Sequence, residues 1–140
     1  MEIQDIALDS NVYRNFSFIN YLVEKKDDFN VHIPTIVFVE LGYFFISKGL
    51  SWETYLSDLE KFNGKMLEWG VFNLELLINN AYDNRAELAF KNHFRDYLIG
   101  LQCMNLKLQL VTYNQRHFTW CEGISIITPE DLVAMHDGTF

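Results

Sequence analysis

The sequence is short of cysteine, of basic residues and of long apolar runs, and each shortage excludes a class of protein. Cys103 and Cys121 are the only two cysteines in 140 residues, and neither belongs to a CxxC pair. They read as reduced thiols of an intracellular, cytoplasmic protein rather than as a disulfide framework. Eleven lysines and arginines stand against nineteen acids, giving a net charge of −8. That balance excludes a surface that grips nucleic acid by charge along its whole extent. The most apolar stretch, Ile36 to Ile46, is interrupted by Glu40 and Gly42. It is about half the length that a bilayer-spanning helix needs, so no membrane association is expected. The opening MEIQDIALDS has no basic region and no long apolar core, so no signal peptide is expected either. Internal repeats, low-complexity segments and Pro/Gly/Ser linkers are absent, as are P-loop, GxGxxG, HExxH and GxSxG patterns. His32, His93, His117 and His136 show no ligand spacing and read as surface or packing residues.

What is present is enough apolar material for a full core: 49% of residues are hydrophobic and 16% aromatic. A chain of this length is expected to form one domain over residues 1–140. Short apolar runs alternate with longer helical ones, the pattern of βαβ units and a parallel sheet. Ile3 to Leu8 reads as a first strand, central because Ile6-Ala7-Leu8 is continuously apolar. Val12, Phe16, Ile19 and Val23 recur at helical spacing up to Lys25 and Lys26. Val31 to Ile33 reads as a short strand, Pro34 as the start of an apolar helix, and Ser51 as the cap of a third helix. Val71 to Leu74 reads as an edge strand or an extended link, followed by helices over about Glu75 to Asn92 and His93 to Leu106. Leu108 to Thr112 and Ile124 to Ile127 read as strands, and Thr128-Pro129-Glu130-Asp131 as a helix start. The expected fold is α/β: a three-layer sandwich with a mostly parallel sheet of four or five strands.

Most acids lie among other polar residues and read as solvated surface, but three do not. Asp9 directly follows the Ile6-Ala7-Leu8 run, at the carboxyl end of a central strand, where open α/β sheets bind ligands. It is equally a good helix cap. Glu40 shares a helix face with Ile36, Val37, Tyr43 and Phe44, and no basic residue lies between Lys26 and Lys48. A charge there needs a metal, a distant ion pair or a proton. Asp96 precedes Ile99, Gly100 and Cys103 on a small, apolar helix face, with Gly100 allowing close approach to the sheet. Asp96 also suits the positive end of a helix, with Arg95 or His93 beside it. Three such carboxylates repel one another unless a cation lies between them. Hard oxygen ligands suit Mg²⁺ or Mn²⁺ rather than zinc.

These motifs resemble the PIN domain family, in particular the VapC-like toxin ribonucleases of prokaryotic toxin–antitoxin pairs. The resemblance spans nearly the whole chain. It runs through Leu8-Asp9-Ser10-Asn11, Val39-Glu40-Leu41, Arg95-Asp96-Tyr97-Leu98-Ile99-Gly100, Leu110-Val111-Thr112-Tyr113-Asn114, His117-Phe118 and Ile126-Ile127-Thr128-Pro129-Glu130-Asp131-Leu132. It implies hydrolysis of RNA phosphodiesters with Mg²⁺ or Mn²⁺ as cofactor, Asp9, Glu40 and Asp96 as catalytic ligands, and Asn114 as a fourth ligand where the family often has Asp. Ser10, Asn11 and Thr112 would support the site. Arg95 and Arg116, with Arg14, Lys48 and Lys91, are the candidates for phosphate contacts. The implied partners are RNA, an antitoxin protein and a second copy in a homodimer. Tyr43-Phe44-Phe45 and Trp52 could form such a protein surface, though core packing accounts for them equally. A PIN-like module with weak or lost activity that acts through protein contacts, or a housekeeping RNA-processing nuclease, is the alternative. A haloacid dehalogenase-type phosphatase is disfavoured by Asn11, where that chemistry needs a second acid.

Overall fold

The computed structural model describes residues 2–68 and 74–138. Within them five strands form one all-parallel sheet in the order β3-β2-β1-β4-β5. The strands are β1 (Gln4–Leu8), β2 (Phe29–Ile33), β3 (Lys65–Met66), β4 (Gln109–Val111) and β5 (Ile126–Ile127). Six helices accompany them: α1 (Phe16–Glu24), α2 (Thr35–Ser47), α3 (Trp52–Glu60), α4 (Leu74–Asp83), α5 (Phe90–Leu106) and α6 (Pro129–Asp137). Ile6, Ala7 and Leu8 are all fully buried. Successive strand residues point to opposite faces, so both faces of β1 are covered, as its unbroken apolar run predicts. The fold is the α/β sandwich expected.

Local chemistry sets most helix ends. Ser51 accepts a hydrogen bond from the Thr54 N–H at the start of α3. Thr128 and Asp131 form a reciprocal capping box at α6, with Pro129 in the first turn. The first helical stretch is split. Ser10–Arg14 form a 3-10 turn, and the Asn15 side chain caps a new start by accepting from the Phe18 N–H. This resets the buried face: Phe18 and Leu22 are buried while Phe16 is exposed.

The long helix expected over Glu75 to Asn92 ends at Asp83. There the Asn80 and Asn84 amides donate to the carbonyls of Leu76 and Asn80, offering the backbone an alternative to continuing. The expected extended segment from Val71 lies outside the described residues up to Leu74, which opens α4. No helix among the described residues is long and apolar enough to cross a membrane.

Two contacts place the later site. Gln102 of α5, itself buried, accepts from the Thr35 N–H at 3.0 Å and donates to Thr35 Oγ1 at 2.9 Å. It thereby satisfies the first turn of α2, which has no capping side chain of its own. A Cβ on Gly100 would lie 2.5 Å from the Trp120 ring and 2.7 Å from Cys121 Sγ. The close approach that Gly100 permits is therefore to the segment ahead of β5 rather than to a strand.

Candidate active site

β1 and β4 lie side by side, and the chain leaves them in opposite directions, to β2 on one flank and β5 on the other. The carboxyl ends of such a strand pair form the crevice where α/β sheets bind ligands. Asp9 leaves β1 there and Thr112 leaves β4. The Asp9 N–H still donates to Val111 O, which keeps the two strands in register past their last paired residues.

Asp9 is completely buried. Its Oδ2 accepts from Thr112 Oγ1 at 2.8 Å and its Oδ1 from the Ser10 N–H at 2.7 Å. It is thus both a cap and a site residue. Asn11 donates to Thr112 Oγ1 and accepts from the Tyr113 N–H, tying the turns after β1 and β4 together.

Glu40 comes from the second turn of α2 and Asp96 from α5. The two meet Asp9 around a single guanidinium, that of Arg95. Arg95 Nη2 donates to Asp9 Oδ1 at 2.8 Å, to Glu40 Oε1 at 2.8 Å and to Ser10 Oγ at 3.2 Å. Its Nε reaches Glu40 Oε2 at 2.9 Å and its Nη1 reaches Asp96 Oδ1 at 2.7 Å. Burial works against this charge. The hydrogen bonds to Glu40 and the charge of Asp9 more than offset it, and hold the guanidinium pKa above its ordinary value.

At Glu40 the distant ion pair is the alternative realised, with Arg95 delivered from 55 residues away. The helix face of Glu40 is not closed, since Tyr43 and Phe44 are exposed and the Glu40 side chain is 37% exposed. The acids that burial makes costly are Asp9 and Asp96, whose side chains are 1% and 5% exposed. Arg95, expected as a phosphate contact, is instead committed to the carboxylates.

No protein-family model matches the chain, and no curated protein matches it by sequence. Solved structures do match. The chain is similar to the structure of VapBC2 from Rickettsia felis bound to a DNA fragment from their promoter. That match is at 22% identity and TM-score 0.59, covering 88% of this chain and 97% of that one. It is similar to PAE2754 from Pyrobaculum aerophilum at 16% identity and TM-score 0.62, with 99% of both chains covered. It is also similar to VapBC-1 from nontypeable Haemophilus influenzae at 14% identity and TM-score 0.59, covering 91% of this chain and 99% of that one. The fold is PIN-like.

The other candidate residues lie on the turn after β4 or on α5. Asn114 is exposed, and its backbone N–H, not its side chain, donates to Thr112 Oγ1. With Tyr113, Gln115, Arg116 and His117 it lines a shallow cavity, which adjoins Asp96 through His117. Arg116 is exposed at that cavity. His93 and His117, read from sequence as surface or packing, both point at Asp96. Their Nδ1 atoms lie 3.3 Å and 3.1 Å from Asp96 Oδ2. The HxxD spacing of His93 and Asp96 was the available sign of this, since it puts both on one helix face. His117 comes from the turn after β4 and has no such local sign. His32 and His136 are paired elsewhere, with Asp5 and Asp28. As chemistry, three carboxylates and the Ser10 hydroxyl converging on one cation are the donor set of Mg²⁺ or Mn²⁺. The oxygens such an ion would take are those now on Arg95.

Proposed function

We propose that this PIN-like chain is a divalent-metal-dependent endoribonuclease and the toxin of a toxin–antitoxin pair. The observation that carries the reading is the convergence of Asp9, Glu40 and Asp96 on one cationic centre at the crevice between β1 and β4. Bound Mg²⁺ or Mn²⁺ supplies a Lewis acid for the phosphodiester and lowers the pKa of water. Asp9, fixed by Thr112 and the Ser10 N–H, is the rigid ligand, and Asp96 is the second. Glu40 is the most solvent-exposed of the three, and so it is the one placed to orient or deprotonate an attacking water. Asn114 and Arg116, in the cavity that His117 links to Asp96, are the proposed contacts of an RNA strand. The strand is single-stranded or looped, since an open crevice takes unstacked nucleotides.

The partner proteins are proposed on the same footing. Val39, Tyr43, Phe44 and Ile46 of α2 are exposed, as is Trp52. An apolar face of that kind suits an antitoxin or a second copy of the chain. Two of the similar structures are themselves VapBC pairs by description.

The test is cleavage of a mixed pool of structured RNAs with Mn²⁺ or Mg²⁺. Asp9→Asn and Asp96→Asn are expected to abolish it while leaving the circular dichroism spectrum unchanged. EDTA is expected to stop the wild-type protein. Cleavage by either variant at the wild-type rate, or indifference to EDTA, removes the proposal. Arg95 supports the second reading, a PIN-like module with weak or lost activity acting through protein contacts, because it occupies the position a metal needs.

A further inference from the structure

Asp96 uses its two oxygens differently. Oδ1 is held by Arg95 at 2.7 Å, whereas Oδ2 faces His93 Nδ1 at 3.3 Å and His117 Nδ1 at 3.1 Å. The three ligand atoms all lie within 4.8 Å of one another. Metal–nitrogen and metal–oxygen bonds of about 2.1 Å in a tetrahedral site put neighbouring ligand atoms roughly 3.4 Å apart, which matches both His–Asp distances. Hydrogen bonding alone accounts for only half of this arrangement. His93 Nδ1 is aligned with Oδ2. His117 Nδ1 is buried and has no hydrogen-bond partner among the described residues, although it lies 3.1 Å from the same oxygen. A buried ring nitrogen this close to a carboxylate, with no hydrogen bond to it, is a donor that a cation bound beside Asp96 Oδ2 would satisfy.

The surroundings suit an ion there. α5 bends at His93, whose backbone is non-helical at φ −123 and ψ 16, and the two imidazoles meet edge to face. A cavity of about 310 Å³ lined by Glu87, Leu88, His93, Arg116 and His117 opens beside the pair. It has room for water and a further oxygen ligand. Two imidazoles and one carboxylate form a mixed nitrogen and oxygen set, which favours Zn²⁺ or a neighbouring transition ion over Mg²⁺.

We infer that His93, Asp96 and His117 form a transition-metal site for Zn²⁺, on the side of Asp96 opposite Arg95 and open to the adjoining cavity. The site does not depend on the nuclease reading. It shares Asp96 with the carboxylate trio, so the two histidines are what separate it from that trio.

The experiment is calorimetric titration of Zn²⁺ into the full chain after EDTA treatment and dialysis. Visible absorption of the Co²⁺-loaded protein gives a second readout. One equivalent of Zn²⁺ is expected to bind, and the Co²⁺ protein to show the bands of imidazole-ligated metal. His93→Ala and His117→Ala are each expected to weaken Zn²⁺ binding about tenfold or more and to remove the bands. His32→Ala, whose ring lies on Asp5, is expected to match the wild type. If His117→Ala does not fold, His117→Gln keeps volume and polarity and is expected to show the same loss. No Zn²⁺ binding by the wild type, or equal affinity in the wild type and both histidine variants, overturns the inference. RNA cleavage with Mg²⁺ is read separately on the same proteins, so failure of one reading is distinguishable from failure of the other.

Discussion

Arg95 sits among Asp9, Glu40 and Asp96 with four hydrogen bonds to their oxygens. Three negative charges against one positive leave the cluster short of cations, so the guanidinium is both what holds the acids together and what a divalent ion must displace. Removing it leaves carboxylates that repel one another, two of them buried. Breaking a buried ion network by deleting one partner costs about 3–5 kcal/mol. With Glu40 partly solvated, the lower end of that range applies. Arg95→Ala is therefore expected to lower the thermal midpoint clearly in EDTA and to recover most of the loss when Mn²⁺ is added. It is also expected to bind Mn²⁺ more tightly than the wild-type protein by calorimetry. Equal Mn²⁺ affinity in the two proteins would show that the guanidinium and the ion do not compete. Higher RNA cleavage by Arg95→Ala than by the wild type would mark the arginine as a brake on the proposed nuclease.

The acids meet because whole elements are held in place, and α2 depends on a side chain from another helix. Gln102 makes two hydrogen bonds to Thr35, and Thr35 Oγ1 donates onward to the Leu67 carbonyl. Gln102→Leu leaves the Thr35 N–H unsatisfied and is expected to destabilise the protein by about 1–3 kcal/mol in urea titration. It is also expected to impair the site through Glu40, which α2 carries. No change in either measurement would mean that another group caps α2. Gly100→Ala is a packing counterpart. Its Cβ would meet the Trp120 ring and Cys121 Sγ well inside van der Waals contact, at an expected cost of about 1–3 kcal/mol. Elements set by local chemistry were readable in the sequence: β1 from Ile6-Ala7-Leu8, α3 from Ser51, α6 from the Thr128–Asp131 box. β3 was not, because Lys65 and Met66 are two exposed residues with no periodicity. The end of α4 was hidden because Asn80 and Asn84 act through side-chain bonds that a helical pattern does not reveal. In the site, Glu40 stood out by its apolar helix face, while Asp9 and Asp96 read equally as a cap and a helix-end acid and drew their weight from the family resemblance. The partners of the acids could not, since Arg95 reaches Glu40 from 55 positions away and His117 arrives from another element.

Across the molecule, burial shifts the perturbed thiols and phenols among the described residues in one direction. Burial pushes the Cys121 thiol from its ordinary 9.0 up to about 12, and pushes Cys103 well above the ordinary value, with Cys121 and Asp9 adding to the effect. Burial also raises Tyr13, Tyr21 and Tyr55. Each of these groups is neutral when protonated, so a raised pKa means that the folded state keeps its proton longer than the unfolded chain does. Between about pH 9 and 12 the unfolded thiols are ionised while the folded Cys121 remains protonated. The folded state then binds more protons, and unfolding free energy falls as pH rises, by about 1.4 kcal/mol per pH unit for each fully differential group. Stability measured in urea under reducing conditions is therefore expected to hold up to about pH 9 and decline steeply above it. Cys121→Ala loses some stability throughout, because it opens a small cavity, but its decline above pH 9 is expected to be shallower than that of the wild type. The slopes, not the absolute values, carry the test. Parallel pH profiles for the two proteins would mean that the Cys121 thiol ionises in the folded state as readily as in the unfolded chain. That would contradict its packing against Gly100 beneath Trp120, where an added Cβ would already be too close.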